Sequence, residues 1–346
     1  VRFLSLPFLI LSSLAWGASP SPTPSEAAKP ELVIYSYDTL LSSGGLGQTL
    51  FPRFEAKCGC RIRAVSVGDG GQLLTRLQLD QRRGKPTAHV VFGIDQQIWS
   101  RAKGLLQNWA PPSMPQVVPE IQVEPGFVPF DYGVFALMAD TQKLAALKLA
   151  PPKSLEELAE PRYKKQLLLQ DPRTSTPGLA FLLYTRATKT DVNAFWKKFR
   201  GQWLTLAPGW DEAYGMFLKG EAPLVWSYTT SEAYHREHGD EDGRYRAVLF
   251  EEGQPLQIEG AALVKGAPGG EQHQKLGRDF LEFLLSEEAQ SVIPIRQWML
   301  PVRKSMTLSK SFTDLPKPKK IVRISSSAEE IRQALGDWSK SLQLGH

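Results

Sequence analysis

"FVPFDYGVFALM", Phe127 to Met138, is an extended run of apolar and aromatic residues. It is longer than a single strand of an ordinary sheet needs. A run of this length reads as a strand that starts in one domain and ends in another. A second extended stretch, "PLQIEGAALV" from Pro255 to Val264, follows a strand-like segment at Tyr245–Phe250. The two stretches, near 127–138 and 246–264, flank the middle of the chain. This is the pattern of a two-lobed α/β protein with a discontinuous first lobe. The chain starts the first lobe over 31–126 and crosses to build the second over 127–250. It then returns to finish the first over 251–346, with C-terminal helices. A hinge of two strands permits closure over a ligand.

Upstream of the first crossing, strand and helix patterns alternate. Leu32–Tyr37, Arg61–Val67 and Ala88–Ile94 read as strands. Gln48–Lys57, Gly71–Arg82 and a segment opened by Asp95 read as helices. That alternation implies parallel pairing with crossover connections. Between the crossings, Gln166–Gln170 and Pro223–Tyr228 read as strands. Ser154–Leu158, Thr176–Ala187, Val192–Arg200, Trp210–Lys219 and Thr229–Gly239 read as helices. Helices are expected at Glu271–Leu285 and Glu287–Ile293. Another at Ala328–Leu342 puts Ile331, Leu335, Trp338 and Leu342 on one face.

The chain has 346 residues, 42% hydrophobic content and a formal net charge of +5. That suffices for two cores, and the charge is spread without a basic block, so nucleic-acid binding is not indicated. Arg2, the short apolar run Phe3–Trp16 and the small-x-small pattern Ala15-Trp16-Gly17 read as an export signal over 1–17. The stretch 18–30 is Pro- and Ser-rich and reads as a flexible leader. No later segment has the length and apolarity of a membrane span, so an exported protein without stable membrane insertion is expected. In such a chain Cys58 and Cys60 are expected to be bridged, with free thiols as the alternative.

Polar and aromatic residues gather where strands give way to helices, the ends at which open α/β sheets bind ligands. Tyr37 and Asp38 close the first strand. Asp69 and Gly70 follow the second, with Asp69 a good helix cap. Ser175 and Thr176 precede Pro177 at a helix start, where free N–H groups favour an anionic or polar ligand end. Trp210 opens a helix, and Tyr228 ends a strand just before Thr229, Thr230 and Ser231, with Tyr234 one turn on. Trp226 reads as core, and His89 and His235 as structural.

The strings "QDPRTSTPG", "GWDEAYGMFLKGE", "SYTTSEAYH" and "FVPFDYG", with "FEAKCGC" and "WMLPV", resemble the periplasmic thiamine-binding proteins of bacterial ABC importers. The resemblance runs from about Leu32 to Leu342. It implies a type II periplasmic-binding-protein fold with the ligand between the lobes. It also implies a periplasmic, monomeric, non-enzymatic protein that hands its ligand to the permease and ATPase subunits of a transporter. Thiamine, thiamine monophosphate or thiamine diphosphate is the implied ligand, and no cofactor or metal is implied.

The implied ligand positions are Tyr37, Asp69, Gly70, Ser175, Thr176, Trp210, Tyr228, Thr229, Thr230, Ser231 and Tyr234. Asp38 either balances the ligand's cation or caps the next segment. A permanently cationic thiazolium suits tyrosine and tryptophan faces. A hydroxyl or phosphate tail suits hydroxyls and N–H groups at helix starts. Two departures from the family pattern stand out. The aromatic expected after Tyr-Asp falls near Gly44, and His89 stands where the family carries Asp. The competing readings are a thiaminase-like enzyme, which needs a cysteine nucleophile, and a ferric-ion binder, for which Tyr228 and Tyr234 would supply the phenols.

Overall fold

The computed structural model describes residues 29–121, 124–240 and 242–343. The expected export signal, and the expected leader up to residue 28, lie outside them. Strands β1 (Glu31–Ser36), β2 (Arg61–Ser66) and β3 (Val90–Asp95) alternate with helices α1 (Leu46–Cys58), α2 (Gly70–Arg82) and α3 (Gln96–Ala102). The long run at 127–138 is one strand, β4 (Val128–Asp140). The middle of the chain adds β5 (Leu167–Gln170), α4 (Thr176–Thr188), α5 (Val192–Phe199), β6 (Trp203–Ala207) and α6 (Trp210–Leu218). It continues through β7 (Leu224–Tyr228), α7 (Thr230–Glu237) and β8 (Tyr245–Val248). The return consists of β9 (Gln254–Leu263), α8 (Gly270–Leu284) and α9 (Ala328–Gln343).

The strand order is β2-β1-β3-β9-β4-β7-β5-β6. β1 pairs parallel with β2 and β3, as the alternating pattern implies. β9 returns antiparallel between β3 and β4. β4 serves both lobes. Its first half, Val128–Val134, pairs with β9, and its second half, Phe135–Ala139, pairs with β7. One continuous backbone therefore crosses from lobe to lobe, with β9 beside it. The apolar run is explained by burial: every residue of β4 except Tyr132 is buried.

Three details differ from the sequence reading. β6 was not expected; it is the outer strand of the second lobe, and its half-exposed faces weaken any hydrophobic alternation. The helix expected at Glu287–Ile293 is split into Glu287–Gln290 and Ile293–Arg296, the second with Pro294 in its first turn. The closing helix α9, expected with the first lobe, packs on α5 and α4 of the second. Ile331 and Trp338 are buried, and Trp338 meets Trp196 edge-on at 6.3 Å.

Cys58 and Cys60 are bridged, with their Cα atoms 5.1 Å apart. The bridge closes a very short loop, so it constrains the unfolded chain weakly. Replacing both cysteines by serine is expected to cost only about 1–2 kcal/mol in urea unfolding. A much larger loss would mean that the bridge fixes the α1–β2 corner. His89 is buried, and its Nδ1 accepts the Val33 N–H at 2.8 Å. Burial holds its imidazole below the ordinary pKa, so it serves as a neutral tie between β1 and the start of β3.

Candidate functional site

A cavity of about 540 Å³ lies between the lobes. Of the residues singled out in the sequence, Tyr37, Asp38, Asp69, Thr176, Trp210, Tyr228, Ser231 and Tyr234 line it. Gly70, Ser175, Thr229 and Thr230 stand behind the wall. The N–H of Thr229 donates to the Val134 carbonyl at 2.8 Å, joining the end of β7 to β4. Thr230 is fully buried, with its hydroxyl against Met299 Sδ at 3.9 Å. Ser175 caps α4 by position, and its buried hydroxyl lies beside the Asp69 carboxylate. Gly70 lies against the Thr176 methyl, where any Cβ would collide, so the lobes meet closely there.

Each aromatic on the wall has a support. Trp210 opens α6, stacks on Tyr214 with centroids 4.6 Å apart, and donates its Nε1–H to Ser227 Oγ at 2.9 Å. Ser227 Oγ also meets Ser231 Oγ at 2.8 Å. Tyr214 in turn bonds His235 Nε2 at 2.8 Å. Burial pushes the His235 pKa down to about 4, so the imidazole there is neutral at physiological pH. Tyr228 stacks on Phe135 at 4.7 Å. Tyr37 lies on Gly93, whose φ of 95° and missing Cβ leave room for the ring.

Trp298 meets Tyr234 edge-on at 5.0 Å, and both line the cavity. In the sequence Trp298 is marked only as the first residue of the family string WMLPV. Its backbone holds the left-handed region at φ 55°, a position that side chains other than glycine seldom take. Gly44 also lines the cavity and has open space where a side chain would be.

Asp69 occupies the junction of the lobes. It caps α2 in a reciprocal box with Gln72, and its carboxylate also faces the N–H groups of Thr176 and Trp210. The N-termini of α2, α4 and α6 thus converge on one carboxylate. Burial nonetheless pushes its pKa up to about 6. The Gly71 N–H donates to the Thr174 carbonyl at 3.0 Å, a second link between the lobes. Asp38 sits at the rim, bonded to Ser66 and to the Gly68 N–H, so it ties the loops after β1 and β2 together.

Asp211, Glu212 and Glu259 also line the cavity, none of them singled out in the sequence. Among the described residues of the wall, Arg296 is the one arginine or lysine. Glu259 accepts from the Tyr37 hydroxyl at 2.8 Å and from Gln297 at 3.1 Å. The surface is therefore aromatic and acidic, with hydroxyls and helix N-termini at one end. That combination suits a flat organic cation with a polar tail.

Residues 92–325 match the family model described as bacterial extracellular solute-binding protein. The thiamine-binding periplasmic protein of Brucella melitensis is 42% identical over 309 residues, which is 87% of this chain and 88% of that protein. Its counterpart from Escherichia coli is 38% identical over 320 residues, 91% of this chain and 94% of that protein. Among solved structures, a periplasmic thiamin binding protein superposes with a TM-score of 0.81 at 36% identity, over 94% of this chain and 99% of that one. A ferric binding protein from Campylobacter jejuni shares the fold, with a TM-score of 0.72 at 18% identity. The two-lobed architecture is the type II periplasmic-binding-protein fold. The chain belongs to the bacterial extracellular solute-binding proteins, in the family of the thiamine-binding periplasmic proteins.

Proposed function

We propose that this protein captures thiamine or one of its phosphate esters in the periplasm and delivers it to the permease and ATPase of an ABC importer. The observation that carries the reading is the single cavity wall that joins the faces of Trp210, Tyr228 and Trp298 to the carboxylates of Asp69 and Glu259. The thiazolium lies among the rings and carboxylates, and the tail points toward Thr176. β4 and β9 flex as the lobes close. The protein works as a monomer and leaves the vitamin unchanged. Cys58 and Cys60 are joined to each other and lie off the wall, which supports binding over cysteine-dependent cleavage.

Mass spectrometry of ligand released from purified protein, with calorimetry for thiamine and its mono- and diphosphate, tests this. A thiamine compound bound at micromolar concentration or tighter, and recovered intact after incubation with a nucleophilic amine, is the expected result. No measurable heat with any of the three overturns the reading, and cleavage products move it to the enzyme class.

Asp69 should control the choice among these ligands. Its carboxylate already faces the N–H groups of α4 and α6, so a phosphate tail would meet a like charge there. At pH 8 both groups are ionised. Asp69→Asn keeps a capping oxygen and removes the charge. It is expected to improve thiamine monophosphate relative to thiamine by about 1–2 kcal/mol. An unchanged ratio would mean that the tail stops short of the helix ends.

A further inference from the structure

Three carboxyl groups stand side by side across the centre of the sheet. In register, Asp95 of β3 faces Glu259 of β9, and Glu259 faces Asp131 of β4. A bulge in β3 between Phe92 and Ile94, and another in β4 between Pro129 and Asp131, bring them level. All three are buried; Asp131 is 0% exposed. Asp95 caps α3 with Oδ1, which accepts the N–H groups of Gln97 and Ile98, while its Oδ2 has no partner among the described residues and burial, with the Glu259 charge, pushes its pKa up to about 7. Glu259 takes only neutral donors: Tyr37, Gln257 and Gln297. Asp131 has no N–H or hydroxyl donor among the described residues, and the polar group beside its carboxyl is the Glu259 carboxyl on the neighbouring strand.

Two adjacent buried carboxyls cannot both stay ionised without a cation. Burial, and then the Glu259 charge, hold Asp131 well above the usual carboxylate range. Burial likewise raises Glu259. The other titratable and charged groups around Glu259 do not relieve it. Tyr37 beside β1, Tyr228 of β7, Asp69 at the start of α2 and Asp95 are all acids. Arg296 lies on the cavity wall and is not bonded to either member of the pair among the described residues.

We propose that the Asp131–Glu259 pair carries a proton before ligand arrives and releases it to solvent when a cationic ring settles against Glu259. The ligand's fixed positive charge then replaces the proton as the counterion of the pair. Glu259 is thereby a specificity-determining residue: it selects a permanently charged ring over a neutral one of the same shape. The inference rests on the thiamine reading above. The sign follows from linkage. Protons and the cation compete for the same carboxylates, so affinity is highest at alkaline pH and falls as the pair takes up its proton. That window lies above the ordinary carboxylate range, because both groups are raised.

The experiment is calorimetry with thiamine and with an analogue whose thiazolium is replaced by a neutral thiophene. Each titration is run in two buffers of different ionisation enthalpy. Thiamine is expected to release protons and to lose up to about tenfold in affinity per pH unit on acidification. The neutral analogue should release none. Asp69→Asn, Asp211→Asn and Asp95→Asn should each keep the release, which separates the pair from the other carboxyls nearby that burial raises. Asp131→Asn should abolish it. Glu259→Gln serves as a second variant, weakening thiamine by about tenfold or more and the neutral analogue by little. Melting curves check that each variant is folded. Thiamine binding without proton exchange overturns the inference and leaves the thiamine reading intact. So does equal release with both ligands, or release lost only in Asp69→Asn, Asp211→Asn or Asp95→Asn. Absence of any thiamine binding overturns both.

Discussion

Replacing Trp226 by alanine is expected to destabilise the protein by about 3–5 kcal/mol, the cost of emptying a large buried aromatic site. Trp226 is fully buried at the centre of the second lobe. Its indole lies parallel to Phe135 of β4 at 5.4 Å and to Tyr184 of α4 at 6.0 Å, with Phe181 edge-on at 5.0 Å. Its Nε1–H donates to the Pro177 carbonyl at 3.1 Å. The side chain therefore fastens the first turn of α4, the turn that presents Thr176 to the cavity. The surrounding rings come from rigid elements and cannot collapse into the gap, so the loss should lie at the high end for a core substitution. Urea unfolding, followed by tryptophan fluorescence and circular dichroism, reads the change. A loss under about 2 kcal/mol would show that the neighbours repack.

The second large effect concerns binding. Trp210→Ala is expected to weaken thiamine by about 2–3 kcal/mol, combining lost cation–π contact with lost apolar burial. Tyr214, held by the buried neutral His235, fixes the plane of Trp210, so the indole reaches the ligand already oriented. Pre-organisation of this kind raises the worth of a single ring. Calorimetry on the folded variant is the measurement. Near wild-type affinity, with a lowered melting temperature, would make Trp210 a lobe anchor only.

The fold was legible because its deciding feature is local. A run of apolar residues too long for one domain's strand can be seen at Phe127–Met138 without any knowledge of its partners, and β4 is that run. The helix starts were legible for the same reason, since Asp69, Asp95, Ser154 and Asp191 cap through neighbours within three residues. The chemistry of the cavity was less so. Thr230 has the look of a ligand hydroxyl, but its hydroxyl faces Met299 Sδ, and Thr229 donates its backbone N–H to β4. Glu259 and Asp131 become neighbours only when β9 is laid beside β4, long after either was written into the chain. One signal was available: each is a lone acid inside an apolar extended segment, and a buried charge of that kind asks for a partner. Trp298 gave no local sign, because its place on the wall depends on a left-handed backbone at the end of a broken helix.

The position of β9 has a consequence for the order in which the molecule assembles. β3 and the first half of β4 have no neighbour between them until residues 254–263 have been synthesised. The second lobe, whose strands all lie between residues 128 and 248, can pair before that point. The sheet of the lobe begun first is thus closed after that of the second, and it closes through contacts of long sequence separation, which are slow to form. During that interval two bare strand edges face each other across an unfilled slot, open to pairing with another chain. A fragment ending before Gln254 would keep that slot permanently, and it should aggregate by strand addition even though the strands of its second lobe are all present.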